Sequence, residues 1–249
     1  MNMLKSLILA FAAAVLTGHS VAGDFNSTQI MTEQYPPFNY QEKGELKGIY
    51  VDLLHKVFEE MGTPIVSDRI KLLPWAKGYK SIMNDPNTML FVMTHTEERK
   101  PLFKWVGPVA PSRVTLIARK ADAIKINSIE DVKNYKVGAI REDIGEQLLL
   151  KEGVSRKAID SSSSIQANIK KLNKGRIQLW AYAEPVAMYA IKEAGYDSAD
   201  YESVYTLSES ELYYALHQDF DEAMVAKFQA ALDAVKASGE YDNIISKYR

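Results

Sequence analysis

The chain contains no cysteine. That absence excludes disulfides, thiolate metal sites, a cysteine nucleophile and the lipidated cysteine of a bacterial lipoprotein. Stability must then come from burial, and 249 residues suffice for one large or two modest cores. Histidine is sparse, at positions 19, 55, 95 and 217 only, and this scatter gives no metal-ligand spacing. His95 stands out among them because it adjoins the Thr94–Arg99 junction. No P-loop, GxSxG, HExxH or glycine-rich dinucleotide turn occurs, so no cofactor and no catalytic residue is expected. An excess of positive charge is missing too: 30 basic residues face 32 acidic ones, a formal net charge of −2. Nothing is basic enough to follow a nucleic-acid backbone.

Long apolar runs are absent, with a short exception at the start. In "MNMLKSLILAFAAAVLTGHSVAG", Lys5 precedes an apolar core from Leu7 to Leu16, and Ser20 and Ala22 occupy the −3 and −1 places of a cleavage site. The run is about half the ~20 residues that a membrane span needs. It reads as a secretory signal peptide, 1–22, with a mature chain exported free of any lipid anchor.

Strand-like and helix-like segments alternate along the rest. "STQIMTE" is a strand candidate, followed by the loop "QYPPFNYQEKGELKG". A helix is expected from about Tyr50 to Met61, with Val51, Leu54, Val57, Phe58 and Met61 on one face and Gly62 as its stop. "PIVSDRIKL" reads as a second strand, Trp75 to Met83 as a helix, and "TMLFVMT" as a third strand. Such alternation implies parallel, helix-covered sheet.

A second alternating set starts after "SRVTLIARK". "SIEDVKNY" carries a helix-cap signal in Ser128 and Asp131. Strand "KVGAI", helix "GEQLLLKEG", a short strand near "KAIDS", helix "SIQANIKKLNKG", strand "RIQLWAY" and helix "PVAMYAIKEAG" follow. Beyond Tyr205 the pattern changes. "ELYYALHQD" reads as a strand and Phe220 to Val235 as a long helix with Met224, Phe228, Leu232 and Val235 inward.

In open α/β sheets ligands bind beyond the carboxyl ends of strands. The residues just past those ends are Tyr35 and Phe38, Trp75, Thr94 and Arg99, then Arg141, Tyr182 and Glu184. Aromatics, a hydroxyl, two arginines and a carboxylate make a set suited to a small zwitterion. Each has a plainer account. Thr94 and Glu97 match a capping box, Phe38 can pack on the Pro36–Pro37 turn, and Trp75 can be a half-buried helix start. Arg141 can pair with Glu142 or Asp143 on the surface, and Glu184 can serve the helix dipole.

"YPPFNYQEKGELKGIYVDLLHKVFEEMG" followed by "MTHTEERKPLFKWVGPV" resembles the family 3 solute-binding proteins of bacterial amino-acid ABC importers. Downstream, "YKVGAIREDIGEQLL" and "LNKGRIQLWAYAEPVA" resemble that family's second-lobe segments, in the same order. The resemblance implies an α/β, two-lobed periplasmic binding protein fold of type II. Each lobe is then a helix-covered mixed sheet, and two strands, near "SRVTLIA" and "YTLSESEL", make the hinge. Lobe one is expected from 23–112 with 208–249, and lobe two from 113–207.

By the same resemblance Arg99 binds the ligand's α-carboxylate with help from Thr94, because a planar guanidinium meets two carboxylate oxygens at once. Tyr35 and Phe38 match the aromatic loop that stacks on the ligand, and Trp75 a pocket wall. The aspartate that usually holds the α-amine aligns with Ala183. Either Glu184 replaces it, or the ligand lacks an α-amine. The implied function is a monomeric periplasmic receptor that captures an amino acid or related carboxylate for an ABC permease in the inner membrane. The alternatives are a cyclohexadienyl dehydratase-like enzyme with Glu184 as acid or base, and a ligand-sensing partner of a membrane sensor kinase.

Overall fold

The computed structural model describes residues 25–248, so the expected leader lies outside the described residues. Strand β1 (Gln29–Thr32) is followed by a hairpin, β2 (Tyr40–Glu42) and β3 (Glu45–Lys47). Helix α1 (Ile49–Glu60) buries Val51, Leu54, Val57 and Phe58 on the expected face. Gly48 precedes it at φ 123°, and a Cβ there would lie 2.3 Å from the Phe38 carbonyl oxygen, so only glycine fits. Strand β4 (Ile70–Leu72), helix α2 (Trp75–Asn84) and strand β5 (Thr88–Thr94) complete the first set. "PIVSDRIKL" is a strand only over its last three residues, because a 3-10 turn occupies Ser67–Arg69.

The 17-residue strand β6 (Phe103–Arg119) leads to α3 (Ile129–Val132), β7 (Val137–Ile140), α4 (Ile144–Lys151) and β8 (Ile159–Ser162). Helix α5 (Ile165–Asn173), strand β9 (Leu179–Ala183) and helix α6 (Glu184–Glu193) follow. The equally long β10 (Tyr201–His217) then precedes α7 (Glu222–Ala237) and α8 (Glu240–Ser246). The Ser128–Asp131 capping box is formed at α3, and Ser164 caps α5 by accepting from the Ala167 N–H. Helix α7 starts two residues later than expected, since Asp221 caps it by accepting from the Met224 N–H. Met224 is only half-buried, and Ala231 faces inward with Phe228, Leu232 and Val235.

Eight strands form one sheet in the order β4-β1-β5-β10-β6-β9-β7-β8. At one end β4, β1 and β5 are parallel, and at the other β9, β7 and β8 are parallel. The antiparallel pair β6/β10 joins them. Strand β5 pairs with the last part of β10, from Leu212 to Leu216, whereas β9 pairs with β6 from Val114 to Ile117. The two parallel sets therefore attach at different levels of the long strands. Between them lie Ala110–Arg113 and Glu209–Leu212, where, among the described residues, β6 and β10 pass from one set to the other.

One hydrophobic cluster covers the first set and continues across the junction. Tyr35 and Trp75 belong to the same packed group as Ile140, Ile165 and Tyr182. A smaller cluster, with Leu116, Val132, Val137, Leu149 and Leu179, closes the far face of the second set. Among the described residues no helix is long and apolar enough to cross a membrane.

Candidate ligand-binding site

Strand β5 is buried at all seven positions, so its carboxyl end delivers the following turn to the interior. Thr96 shapes that turn, accepting from the Arg99 N–H through both its carbonyl (3.1 Å) and its hydroxyl (3.2 Å). The side-chain bond at this turn is thus made by Thr96 rather than Thr94, and the segment beyond is a single 3-10 turn, Lys100–Leu102. Thr94 is buried beside Ser112, with the two hydroxyl oxygens 3.4 Å apart.

Arg99 is 1 % exposed. Its Nε donates to Gln147 Oε1 at 3.1 Å and its Nη1 to the Thr94 carbonyl at 3.3 Å. Its Nη2 is buried with no hydrogen-bond partner. The guanidinium also lies 5.4 Å from the Trp75 ring centroid and 5.2 Å from that of Tyr79. These two rings stand one helical turn apart on α2 and stack on each other. A buried donor that forgoes a bond is costly, more so when charged. One side of the Arg99 fork is therefore left without an acceptor among the described residues.

Trp75 bridges the cleft. Its Nε1 donates to the Glu142 carbonyl at 2.9 Å, and the same oxygen accepts from Gln147 Nε2 at 2.9 Å. Glu142 has a left-handed backbone, φ 61°, which few non-glycine residues adopt. Tyr35 meets Tyr182 edge-on across the same junction, with centroids 6.0 Å apart. The Tyr182 hydroxyl is buried without a partner, and its ring stacks on Trp180. Burial pushes both phenols well above the ordinary tyrosine range, so each can only donate or accept as a neutral hydroxyl.

Two buried carboxyls absent from the expected set lie within electrostatic reach of Arg99. Glu33, the first residue past β1, is 7 % exposed, and Asp143, at the start of α4, is 6 % exposed. Burial raises the Glu33 carboxyl well above its usual range, and the nearby Asp143 adds to this while Arg99 opposes it. Burial likewise pushes Asp143 up to about 6, against the pull of Arg99 and the Ile144 N–H. Burial lowers Arg99, and Asp143 counters that. Glu33, Trp75, Ile140, Ser164 and Ile165 line a cavity of about 230 Å³ in the cleft.

Tyr35, Trp75, Thr94, Arg99 and Tyr182 are thus all buried at the junction. Phe38 is half-buried, stacked on Tyr50 with centroids 5.0 Å apart and 5.8 Å from the Tyr35 ring. Arg141 is not brought in: its side chain is exposed, and only its N–H is fixed, to the Ser162 carbonyl at 2.8 Å. Glu184 is held elsewhere, ion-paired to Arg113 and accepting from Ser203 Oγ at 2.7 Å. Both partners lie on the long crossing strands. Among the described residues no group of three or more histidine or acidic side chains is arranged to hold a metal ion.

Residues 28–249 match the model of the bacterial extracellular solute-binding proteins, family 3. The chain belongs to this family. It is 25 % identical over 219 residues to a probable histidine-binding protein of Neisseria gonorrhoeae, covering 86 % of this chain and 80 % of that one. It is 26 % identical over 251 residues to the arginine-binding periplasmic protein of Mannheimia haemolytica, covering 99 % and 98 %. Among solved structures, a histidine kinase sensor domain with similarity to periplasmic binding proteins superposes with a TM-score of 0.78 at 21 % identity, over 89 % of this chain and 96 % of that one. The fold is that of the periplasmic binding proteins.

Proposed function

We propose that this chain is a periplasmic receptor that binds a small carboxylate-bearing solute, an amino acid, between two lobes and delivers it to an ABC importer in the inner membrane. Residues 23–112 with 208–249 form one lobe and 113–207 the other, joined where β6 and β10 cross. The observation that carries the reading is Arg99, buried at the cleft with one guanidinium nitrogen unpartnered. A carboxylate is the acceptor whose two oxygens suit that fork. Relatives named for binding histidine and arginine support an amino acid as the solute. A dehydratase-like use of Glu184 as acid or base draws no support from its position, since Arg113 and Ser203 occupy its carboxylate.

Calorimetry of the wild-type chain against the common amino acids should find saturable, one-to-one binding without turnover. Arg99→Met should then weaken that binding by about 2–5 kcal/mol, roughly 30- to several-thousand-fold, with the fold retained by circular dichroism. Wild-type affinity in the variant would reduce Arg99 to a structural residue.

A further inference from the structure

The carboxylate site does not account for Glu33 and Asp143. They come from the two sides of the cleft, one past β1 and one at the start of α4, and Trp75 gathers them: it lines one cavity with Glu33, donates to the carbonyl of Glu142 next to Asp143, and has the Arg99 guanidinium 5.4 Å from its ring centroid. The third buried acid, Glu146, is already used. It accepts from the Glu142 N–H at 2.8 Å and from Ser161 Oγ, and Arg156 lies 3.6 Å from it. Glu33 instead lines the cleft cavity. Two fully buried polar atoms nearby lack partners: Arg99 Nη2, whose guanidinium lies over the Trp75 ring that lines the cavity, and the Tyr182 hydroxyl, whose ring meets that of Tyr35. Tyr182 lies in the field of both carboxyls.

Charge decides what belongs there. One guanidinium against two carboxyls leaves one negative charge over, and uncompensated charge is not tolerated in a closed, dry site. A bound α-carboxylate consumes the positive charge of Arg99, leaving both Glu33 and Asp143 to be answered. A zwitterion answers only one of them and obliges the other to take up a proton. A dicarboxylate makes the excess worse. A solute with one carboxylate and two cationic groups closes the account with every group ionised.

We infer that Glu33 and Asp143 form a cation subsite spanning the cleft, in place of a carboxylate at position 183, and that the solute is a dibasic amino acid of net charge +1. The inference rests on the reading of Arg99 as the carboxylate site. It assigns the selectivity to two residues on opposite sides, so that both engage the solute only when the cleft is shut.

The test compares L-arginine, L-lysine and L-ornithine with L-citrulline, which has the length of arginine but a neutral end group, by calorimetry on the full mature chain. At least one dibasic amino acid should bind about 30-fold or more tightly than citrulline, the factor expected when a buried charge loses its partner. Glu33→Gln and Asp143→Asn should each narrow that ratio. The wild-type ratio alone decides if either variant fails to fold. A zwitterion or L-glutamate binding as tightly as the best dibasic amino acid would overturn the inference, as would a ratio unchanged in both folded variants. Tight zwitterion binding that Arg99→Met abolishes would remove this inference and keep the receptor reading, whereas a wild-type chain that binds no amino acid removes both.

Discussion

Glu184 begins α6 with both carboxylate oxygens engaged, one by Arg113 on β6 and one by Ser203 on β10. Arg113 itself reaches Thr206 at 3.2 Å, and Ser203 lies 2.9 Å from Thr115 Oγ1, so the acid ties a helix start to a polar network on the crossing strands. Glu184→Gln should therefore leave solute affinity within a few-fold of wild type. Its cost to stability should be about 0.2–1 kcal/mol, the range for a partly exposed ion pair, because Arg113 is 46 % exposed. Denaturant melts and calorimetry on the same variant read the two effects separately, and a large loss of affinity would return Glu184 to the solute. The strand-end rule picked out Thr94, which ends β5, Arg99 five residues beyond it, Trp75, which opens α2 after β4, and Tyr182, the last but one residue of β9, and all four are buried. It passed over Glu33, which reads as the polar tail of "STQIMTE". Glu33 is buried in the folded chain, where it shares an electrostatic field with Tyr182 and Asp143 from more than a hundred residues away, and no local pattern records that.

At the scale of elements, the site depends on how closely α4 approaches the sheet. A Cβ at Gly145 would lie 2.5 Å from the Ala181 carbonyl oxygen and 3.0 Å from its carbon. The obstacle is backbone of β9, which cannot rotate aside. Gly145→Ala should push α4 away from β9 and carry Asp143 and Gln147 with it. We expect destabilisation of about 1–3 kcal/mol, as for other overpacked sites, together with weaker solute binding, since Gln147 holds Arg99 Nε. Wild-type melting and affinity in this variant would show that the helix can shift without cost. The regular elements were legible where burial is one-sided or complete, as in α1 and β5. From its own pattern β10 was legible only over "ELYYALH", and the strand near "YTLSESEL" was expected from the resemblance alone. Its first part, "YESVYTLSES", is mostly half-buried, and polar residues on a strand crossing between two packed bodies mimic a loop.

For the whole molecule, the cleft couples shape to protons. Glu33 and Asp143 bind protons more tightly in the folded, closed chain than in the unfolded one, because burial disfavours their charged forms. Arg99 opposes this, Glu146 adds to it at Asp143, and Tyr35 and Tyr182 stay neutral. The stability contributed by a raised carboxyl is fully present below its unfolded value and is lost as pH rises through its folded one. For Asp143 that window runs from 3.8 to about 6, and Glu33 extends it upward. Without solute, the unfolding free energy should therefore carry a downward component between about pH 4 and pH 7. Asp143→Asn, which cannot ionise, should remove on the order of 1–3 kcal/mol of that component, read as the difference between wild-type and variant denaturant curves across the range. Because burial raises both carboxyls only when the cleft is shut, a cationic solute should flatten the wild-type profile by supplying the charge that protons supply at low pH. A solute-free wild type whose pH profile already matches that of Asp143→Asn would place Asp143 in water, and the cleft would then be open at rest.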